Sequence, residues 1–510
     1  MKKFTKRLTA LLCAMLMSLT LLPVETFARE TATPYAVPTD ELVQRAYGDT
    51  VFLEEDDAAQ TEPGALLFDD GTDETGADSR RDPYFDQITV ERYGRTTLEE
   101  EETNSEQLLN VYDTLVECAA TLPMPEYIML KEPVSKETFA LAATAFRGDY
   151  PELFWAIAAP FSYKGKDVVR AVGLTKFVDR DTGREYFPDL DSAKTKFLAA
   201  AEELLEGLPV NGSDFEKELY LHDKLIRHVV YTYDYAKYQS AYSAMVDGKA
   251  VCAGYAFAFQ YLLMRAGIQC AYVTGYSGES HAWNLVKIDG AWYYTDPTWD
   301  DPLTQDPETE VISESPYSPY YAFFNLTAER MGEDHELDPY PENVRQPVCN
   351  STAAFYHRLK NTVVSVKDEG LVEKVATLLR RGNGQTRLFV TDDDPMATAW
   401  EWYQANLGKL RDLMKATGRI DVGIAGAGRE VVLTFKGEYE SLPSGNLNGK
   451  GEVDSTDMQL LYTYLLTKTV PQDQTTLSEA DFLFAADLND DDVVDVYDLQ
   501  ALYEMITGIR

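Results

Sequence analysis

With 510 residues, 45% hydrophobic and 12% aromatic side chains, the chain holds apolar material for several packed cores, which excludes an intrinsically disordered protein. A formal charge of −39 makes phosphate backbones and anionic lipid unfavourable neighbours for most of the exterior, so nucleic acid is excluded as a partner.

At the start, Met1-Lys-Lys and Lys6-Arg7 precede an apolar run from Leu8 to Leu22, and Thr26-Phe27-Ala28 supplies small residues for cleavage. Residues 1–28 are expected to be a signal peptide and the chain to be secreted, extracellular and without a membrane span, since no second long apolar stretch follows. Cys13 leaves with that peptide. The other four cysteines are dispersed with no CxxC pair, so neither a zinc cluster nor a disulfide framework is expected, and Cys118, Cys270 and Cys349 read as small buried hydrophobes. Residues 29–83 carry Glu54-Glu55-Asp56-Asp57, Asp69-Asp70 and Asp73-Glu74 among Pro, Gly, Thr and Ala, a composition that predicts an acidic flexible linker.

An α+β region is expected over 84–190, with a helix beginning near Glu137 and a strand near Val168. Apolar spacing then predicts helices over 192–207 and 214–230, inside a catalytic domain spanning 191–340. His222 and His228 lie six apart on the second helix and so not on one face, and Asp223 reads as a solvated charge. The stretch GKAVCAGY leads into a strongly apolar helix closed by Gly267, which places Cys252 in the first helical turn. There the unpaired N–H groups and the positive helix end favour a thiolate, and the same N–H groups can bind an oxyanion, with Gly254 keeping that approach open. No residue upstream declares itself as a second oxyanion donor, Tyr242 being a candidate by position alone.

A nucleophilic cysteine needs an acid/base group and something to orient it. The run HAWNLVKI from His281 meets Asp289-Gly290 and then AWYYTDPTW, a two-residue hairpin signal. If Ile288 faces Ala291, Trp283 falls opposite Asp296 and His281 opposite Thr298, so His281 and Asp296 share a face as diagonal neighbours, roughly 7–8 Å apart along the backbone. Each residue alone has a bland reading: His281 as a core histidine, Asp296 as a turn cap before Pro297, Cys252 as a packed thiol. Together they meet three separate geometric demands of one site.

GKAVCAGYA followed by SHAWNLVKIDGAWYYTDPTWDDP resembles the transglutaminase-like superfamily, whose core is related to papain-like cysteine proteases, over roughly residues 192–303. The resemblance implies an α+β core in which a helix-start cysteine packs on an antiparallel sheet carrying His and Asp. It implies Cys252 as nucleophile, His281 as base, Asp296 as orienting residue and Trp299 as a structural tryptophan, with no cofactor in the catalytic core. The superfamily contains transglutaminases, peptidases, amidases and silent members. Hydrolysis of protein or peptide amides is the favoured expectation. A protein-glutamine gamma-glutamyltransferase (crosslinking) activity and a silent binding or structural component are the alternatives.

A small α+β domain is expected over 341–441, with strands at 387–391 and 430–435 around a helix at 399–416. The final segment, 442–510, contains an internal repeat of oxygen-rich loop and apolar helix. In the second loop Asp487, Asn489, Asp491, Asp495 and Asp498 stand at positions 1, 3, 5, 9 and 12, with the Val493 carbonyl at 7, the spacing of a calcium loop. The first places Asn446, Asn448, Asp454 and Asp457 at 1, 3, 9 and 12 but puts Lys450 at 5, which leaves its metal binding open. Asp492 replaces the usual glycine at position 6 of the second loop. These paired repeats resemble a type I dockerin, an all-α EF-hand-like module. That resemblance implies structural calcium, a cohesin module of a scaffoldin as partner through Ser455-Thr456 and Val496-Tyr497, and a place in a cellulosome-like complex at or near a cell surface.

Overall fold

The computed structural model describes residues 51–53, 66–67 and 80–507, apart from 164–165, 179–183, 234–237, 302–303, 306–311, 314–318, 340–344, 383, 442–443 and 489–493. The expected signal peptide lies outside the described residues. Among those described, no helix is long and apolar enough to cross a membrane.

The architecture is α+β. Its first sheet has five strands in the order β1-β4-β5-β3-β2: β1 (Val51–Leu53), β2 (Leu66–Leu67), β3 (Tyr127–Val134), β4 (Ala156–Tyr163) and β5 (Val169–Lys176). β1 and β2 fall inside the segment expected to be a linker, and both pair as edge strands, β1 parallel to β4 and β2 antiparallel to β3. The acidic composition of 29–83 hides these two short apolar stretches. Helices α1 (Ser105–Ala120) and α2 (Lys136–Asp149) belong to the same region, and α2 begins where Ser135 accepts from the Thr138 N–H.

Next come α3 (Leu190–Leu205), α4 (Asp214–His228), α5 (Ala241–Met245) and α6 (Cys252–Arg265). α4 is set by a complete capping box, Ser213 with Glu216. α6 ends as its sequence dictates: Gly267 takes φ +89° and Ile268 N–H donates to the Leu263 carbonyl. Thirteen of its fourteen residues, Cys252 through Met264, are buried. A helix apolar on all sides belongs in the middle of a core.

The central antiparallel sheet runs β8-β7-β6-β9, with β6 (Cys270–Tyr276), β7 (Ser280–Ile288), β8 (Ala291–Thr295) and β9 (Glu336–Leu337). Asp289 and Gly290, at φ 48° and 84°, make the tight turn, and Ile288 pairs Ala291 as the hairpin signal requires. Alternation sends Ala282, Val286 and Ile288 towards α6, while Trp283 and Leu285 join a second apolar cluster with Val273, Phe323 and Met331. One continuous core runs from Tyr84 through α6 to Tyr293 and Ala354, so the N-terminal region and the central sheet share their packing.

The third sheet is β10-β11-β13-β12, from β10 (Val363–Val364), β11 (Gln385–Val390), β12 (Thr417–Ala427) and β13 (Glu430–Glu438), with α8 (Leu371–Arg381) and α9 (Pro395–Leu413); α7 (Ala328–Met331) precedes β9. β12 alternates Ile420, Val422 and Ile424, which pack on the core, with Arg419, Asp421 and Gly423, yet its glycines are poor strand formers and it was not expected. Buried Glu430 ties this sheet to the centre by accepting from Tyr321 N–H at 2.5 Å, and it pairs within the sheet with Arg387 of β11 at 2.7 Å. The C-terminal segment folds as α10 (Ser455–Thr467), α11 (Glu479–Ala486) and α12 (Val496–Thr507) around Leu447, Leu460, Phe482 and Leu502. α11 lies between the two repeats and was not expected from them.

Candidate active site

No side chain caps the start of α6, so its first-turn N–H groups are not claimed from that direction. Cys252 is 9% exposed there, packed with Ala253, Ala256 and Ala282. Val251 N–H donates to the Tyr238 carbonyl at 2.9 Å, which holds the preceding segment against the helix start. The expected reason for Gly254 is corrected by this contact. A Cβ at 254 would stand 2.9 Å from the Tyr238 oxygen and 3.2 Å from the Ser240 oxygen, so the glycine admits a neighbouring backbone rather than an oxyanion. Tyr242 is also placed elsewhere: its ring packs 4.6 Å from Phe154 and 5.0 Å from Phe187.

His281, the second residue of β7, lies opposite Gly275; its side chain hydrogen-bonds Asp296, and the Cys252 sulfur acts on the same ring electrostatically. The Asp296 contact is Nε2 to Oδ2 at 2.7 Å, with both side chains buried. The two side chains meet, but not by the expected route: the ladder ends at Asn284 opposite Thr295, so the extrapolated Trp283–Asp296 and His281–Thr298 pairings do not form. Instead Asp296 N–H donates to the Phe323 carbonyl, and its Oδ1 accepts from the N–H groups of Thr298 (2.9 Å) and Trp299 (3.3 Å). Asp296 is therefore both the turn cap and the histidine's partner.

The electrostatics follow from the geometry. Burial opposes a charged imidazole, yet the Asp296 carboxylate and the Cys252 sulfur together push His281 up to about 10. Burial likewise opposes the Asp296 charge, but His281 and His335 hold that carboxyl well below its usual range. Burial pushes the Cys118 and Cys349 thiols up to about 12 and Cys270 well above its ordinary value. All four described cysteines are free.

Two histidines escaped sequence reasoning. His335 lies just before β9 and brings Nε2 to 3.1 Å from the same Asp296 Oδ2. It belongs to no motif, and its one signal was the scarcity of histidine, five in 510 residues. His281, Asp296 and His335 are the one group of metal-capable side chains gathered this way among the described residues, their ligand atoms within 4.8 Å of one another. The direct 2.7 Å contact is a hydrogen bond with no space for an ion between its atoms. His222, set aside in the sequence, is fully buried and pairs with Asp300 at 3.1 Å, while Asp223, expected to be solvated, accepts from Tyr321 at 3.1 Å and pairs with Arg227 at 3.2 Å. Asp300 also accepts from Phe323 N–H at 3.0 Å and donates its own N–H to the Asp296 carbonyl at 3.2 Å. The dyad thus braces the turn that presents Asp296. Trp299, 36% exposed, stands with its ring 6.0 Å from that of His281 and 4.7 Å from that of His335.

In the C-terminal segment, Asp457 Oδ1 accepts from Leu447 and Asn448 N–H and its Oδ2 from Asp454 N–H. Asp498 repeats this with Leu488 and Asp495. The Asn446 and Asn448 side-chain oxygens converge on the Lys450 N–H, at 3.1 and 2.5 Å, while the Lys450 residue itself is exposed, so its charge is not confined among the ligands. Asp487 is buried beside the second loop, whose Asn489, Asp491 and Val493 lie outside the described residues. Such all-oxygen donor sets suit a hard cation. Ser455, Thr456, Val496 and Tyr497 are exposed.

Residues 203–297, which include Cys252, His281 and Asp296, match the transglutaminase-like superfamily, and residues 444–507 match the dockerin type I domain. The human protein named Kyphoscoliosis peptidase is 34% identical over 109 residues, 19% of this chain and 15% of that one, and its mouse counterpart is 35% identical over the same length. The chain thus spans about 15% of the length of these curated relatives. A solved structure described as a TGase shares 14% identity at a TM-score of 0.18, covering 42% of this chain and 54% of its own, a likeness too slight to carry an argument. The chain carries a transglutaminase-like core at residues 203–297 and a type I dockerin domain at residues 444–507.

Proposed function

We propose that the chain is a secreted cysteine enzyme that hydrolyses amide bonds of proteins or peptides and is held by its dockerin on a cohesin-bearing extracellular complex. The observation that carries this reading is the buried hydrogen bond of His281 to Asp296, with Cys252, at the uncapped start of a buried helix, acting electrostatically on the same imidazole. In this reading His281 takes the Cys252 proton and the thiolate attacks the substrate carbonyl carbon. First-turn N–H groups of α6 stabilise the oxyanion. As the C–N bond breaks, the His281 imidazolium protonates the departing amine and a thioester remains on Cys252. Water, deprotonated by His281, then attacks the thioester, releasing the acid and returning the thiol. Asp296 keeps the Nε2–H tautomer, leaving the other ring nitrogen for sulfur.

Calcium belongs to the dockerin in this proposal, with Asn446, Asn448, Asp454 and Asp457 in one loop and Asp487, Asn489, Asp491, Val493, Asp495 and Asp498 in the other. Bound there, it neutralises carboxylates that otherwise repel one another. The resulting module presents Val496 and Tyr497, 63% and 66% exposed, to cohesin.

Mass spectrometry of a mixed peptide pool incubated with the full chain and a lysine-bearing amine tests the reaction. Hydrolysed amides that vanish with Cys252→Ala are expected. Isopeptide products with negligible hydrolysis would replace hydrolysis by crosslinking, and no product of either kind would leave a silent binding component.

A further inference from the structure

His335 is buried on a short connection, its N–H donating to the Met331 carbonyl at 2.9 Å, while the next two residues form β9 against β6. Its ring stands among those of Trp283 (4.9 Å), Trp299 (4.7 Å) and Phe323 (5.5 Å). From that aromatic box Nε2 reaches Asp296 Oδ2 at 3.1 Å, the oxygen that His281 Nε2 meets at 2.7 Å. Since Oδ1 holds the Thr298 and Trp299 N–H groups, all four acceptor positions of the carboxylate are filled.

This arrangement fixes the protonation of His335. An ionised carboxylate only accepts, so His335 must carry its proton on Nε2. Its Nδ1 is buried and has no hydrogen-bond partner among the described residues. A cationic ring would leave an Nδ1–H donor unpaired against aromatic walls, a costly state, whereas the neutral ring leaves a lone pair. The titratable groups that face this carboxylate are His281 from β7, His335 itself and, through His281, Cys252 from α6; the Asp300 carboxylate turns instead to His222.

We propose that His335 is a positioning residue of the active site, a neutral Nε2–H donor that shares Asp296 Oδ2 with His281, fixing the carboxylate and drawing off part of its charge. The proposal rests on the reading of Cys252, His281 and Asp296 as one catalytic unit. A second donor weakens the pull of Asp296 on the His281 proton, so losing it makes the His281 imidazolium harder to deprotonate. A residue that merely filled the aromatic box would leave that titration where it was.

The test is the rate of Cys252 alkylation by iodoacetamide against pH, in the calcium-loaded full chain, for wild type, His335→Phe and His335→Gln. Phe retains the ring and removes the donor; Gln restores an N–H at the same reach. The expected result is an upper step, where the imidazolium loses its proton, raised by about 0.5 pH unit in the Phe variant and returned by Gln. A folded Phe variant with the wild-type profile overturns the role of His335. If wild-type Cys252 reacts no faster than Cys118, Cys270 and Cys349, the catalytic reading itself falls. Should the Phe variant fail to fold, nitrogen NMR of histidine-labelled wild type decides: a neutral Nε2–H tautomer at His335 is expected, and an Nδ1–H tautomer or a cation at neutral pH contradicts the proposal.

Discussion

Glu218 and His222 lie one turn apart on α4, both buried, and they carry a pH dependence separate from the chemistry. Glu218 accepts from Asn325 at 2.6 Å and Thr295 at 3.3 Å, yet burial dominates and pushes its carboxyl from 4.5 up to about 8. Between those values the unfolded chain has released the proton that the folded chain retains. Stability therefore falls as pH rises from about 4.5 to about 8, by at most ~1.4 kcal/mol per pH unit from this group. Glu218→Gln should flatten that slope, measured by urea unfolding at intervals across the range; an unchanged slope would assign the pH dependence elsewhere. None of this was legible in the sequence, where Glu218 is one of several charged residues in the helix expected over 214–230 and nothing marks it as buried. Cys252, His281 and Asp296 were legible as candidates because a helix start and a two-residue turn are local patterns, although the final placement of Asp296 is set by the distant Phe323 carbonyl. His335 and His222 depend on contacts with residues 39 and 78 positions away.

Among the elements, the β6–β9 pairing positions the site most directly, and it depends on one glycine. A Cβ on Gly275 would lie 2.1 Å from the Glu336 carbonyl oxygen and 2.6 Å from the Trp283 ring, so β9 approaches only because none is there. Gly275→Ala should cost about 1–3 kcal/mol, read from denaturant midpoints, and slow Cys252 alkylation by displacing the segment that carries His335. Gly278 has nothing near its would-be Cβ and only a φ of +78° to defend, so Gly278→Ala should cost ~1 kcal/mol and spare the alkylation rate. Equal effects of both would show that turn strain, not strand approach, governs this hairpin. Turn chemistry made the Ile288–Ala291 register predictable, whereas the departure of Asp296 from the ladder is imposed by the distant Phe323 carbonyl.

Across the whole molecule, the dockerin packs its own small core around Leu460, Phe482 and Leu502 and is clasped from α8 by Arg381, which donates to Ser444 Oγ at 2.7 Å and to the Asp487 carbonyl. If calcium is what offsets its gathered carboxylates, EGTA should abolish a separate melting transition of this module and leave the transition of the central core within about 2 °C. Calorimetry with and without chelator reads this directly, and a dockerin transition insensitive to EGTA would remove calcium from the account. The repeat spacing disclosed the paired loops, but α11 and the arginine clasp lie outside the repeating pattern.

The central claim is that sulfur, imidazole and carboxylate act as one unit at the start of α6. Competitive alkylation of the full chain at pH 7, with Cys118, Cys252, Cys270 and Cys349 quantified together in wild type and in His281→Ala, tests it most directly. The account predicts that Cys252 reacts at least ~100-fold faster than Cys118, Cys270 and Cys349, and that His281→Ala removes most of that advantage. Equal reactivity of the four thiols, or a Cys252 rate indifferent to His281, would contradict it.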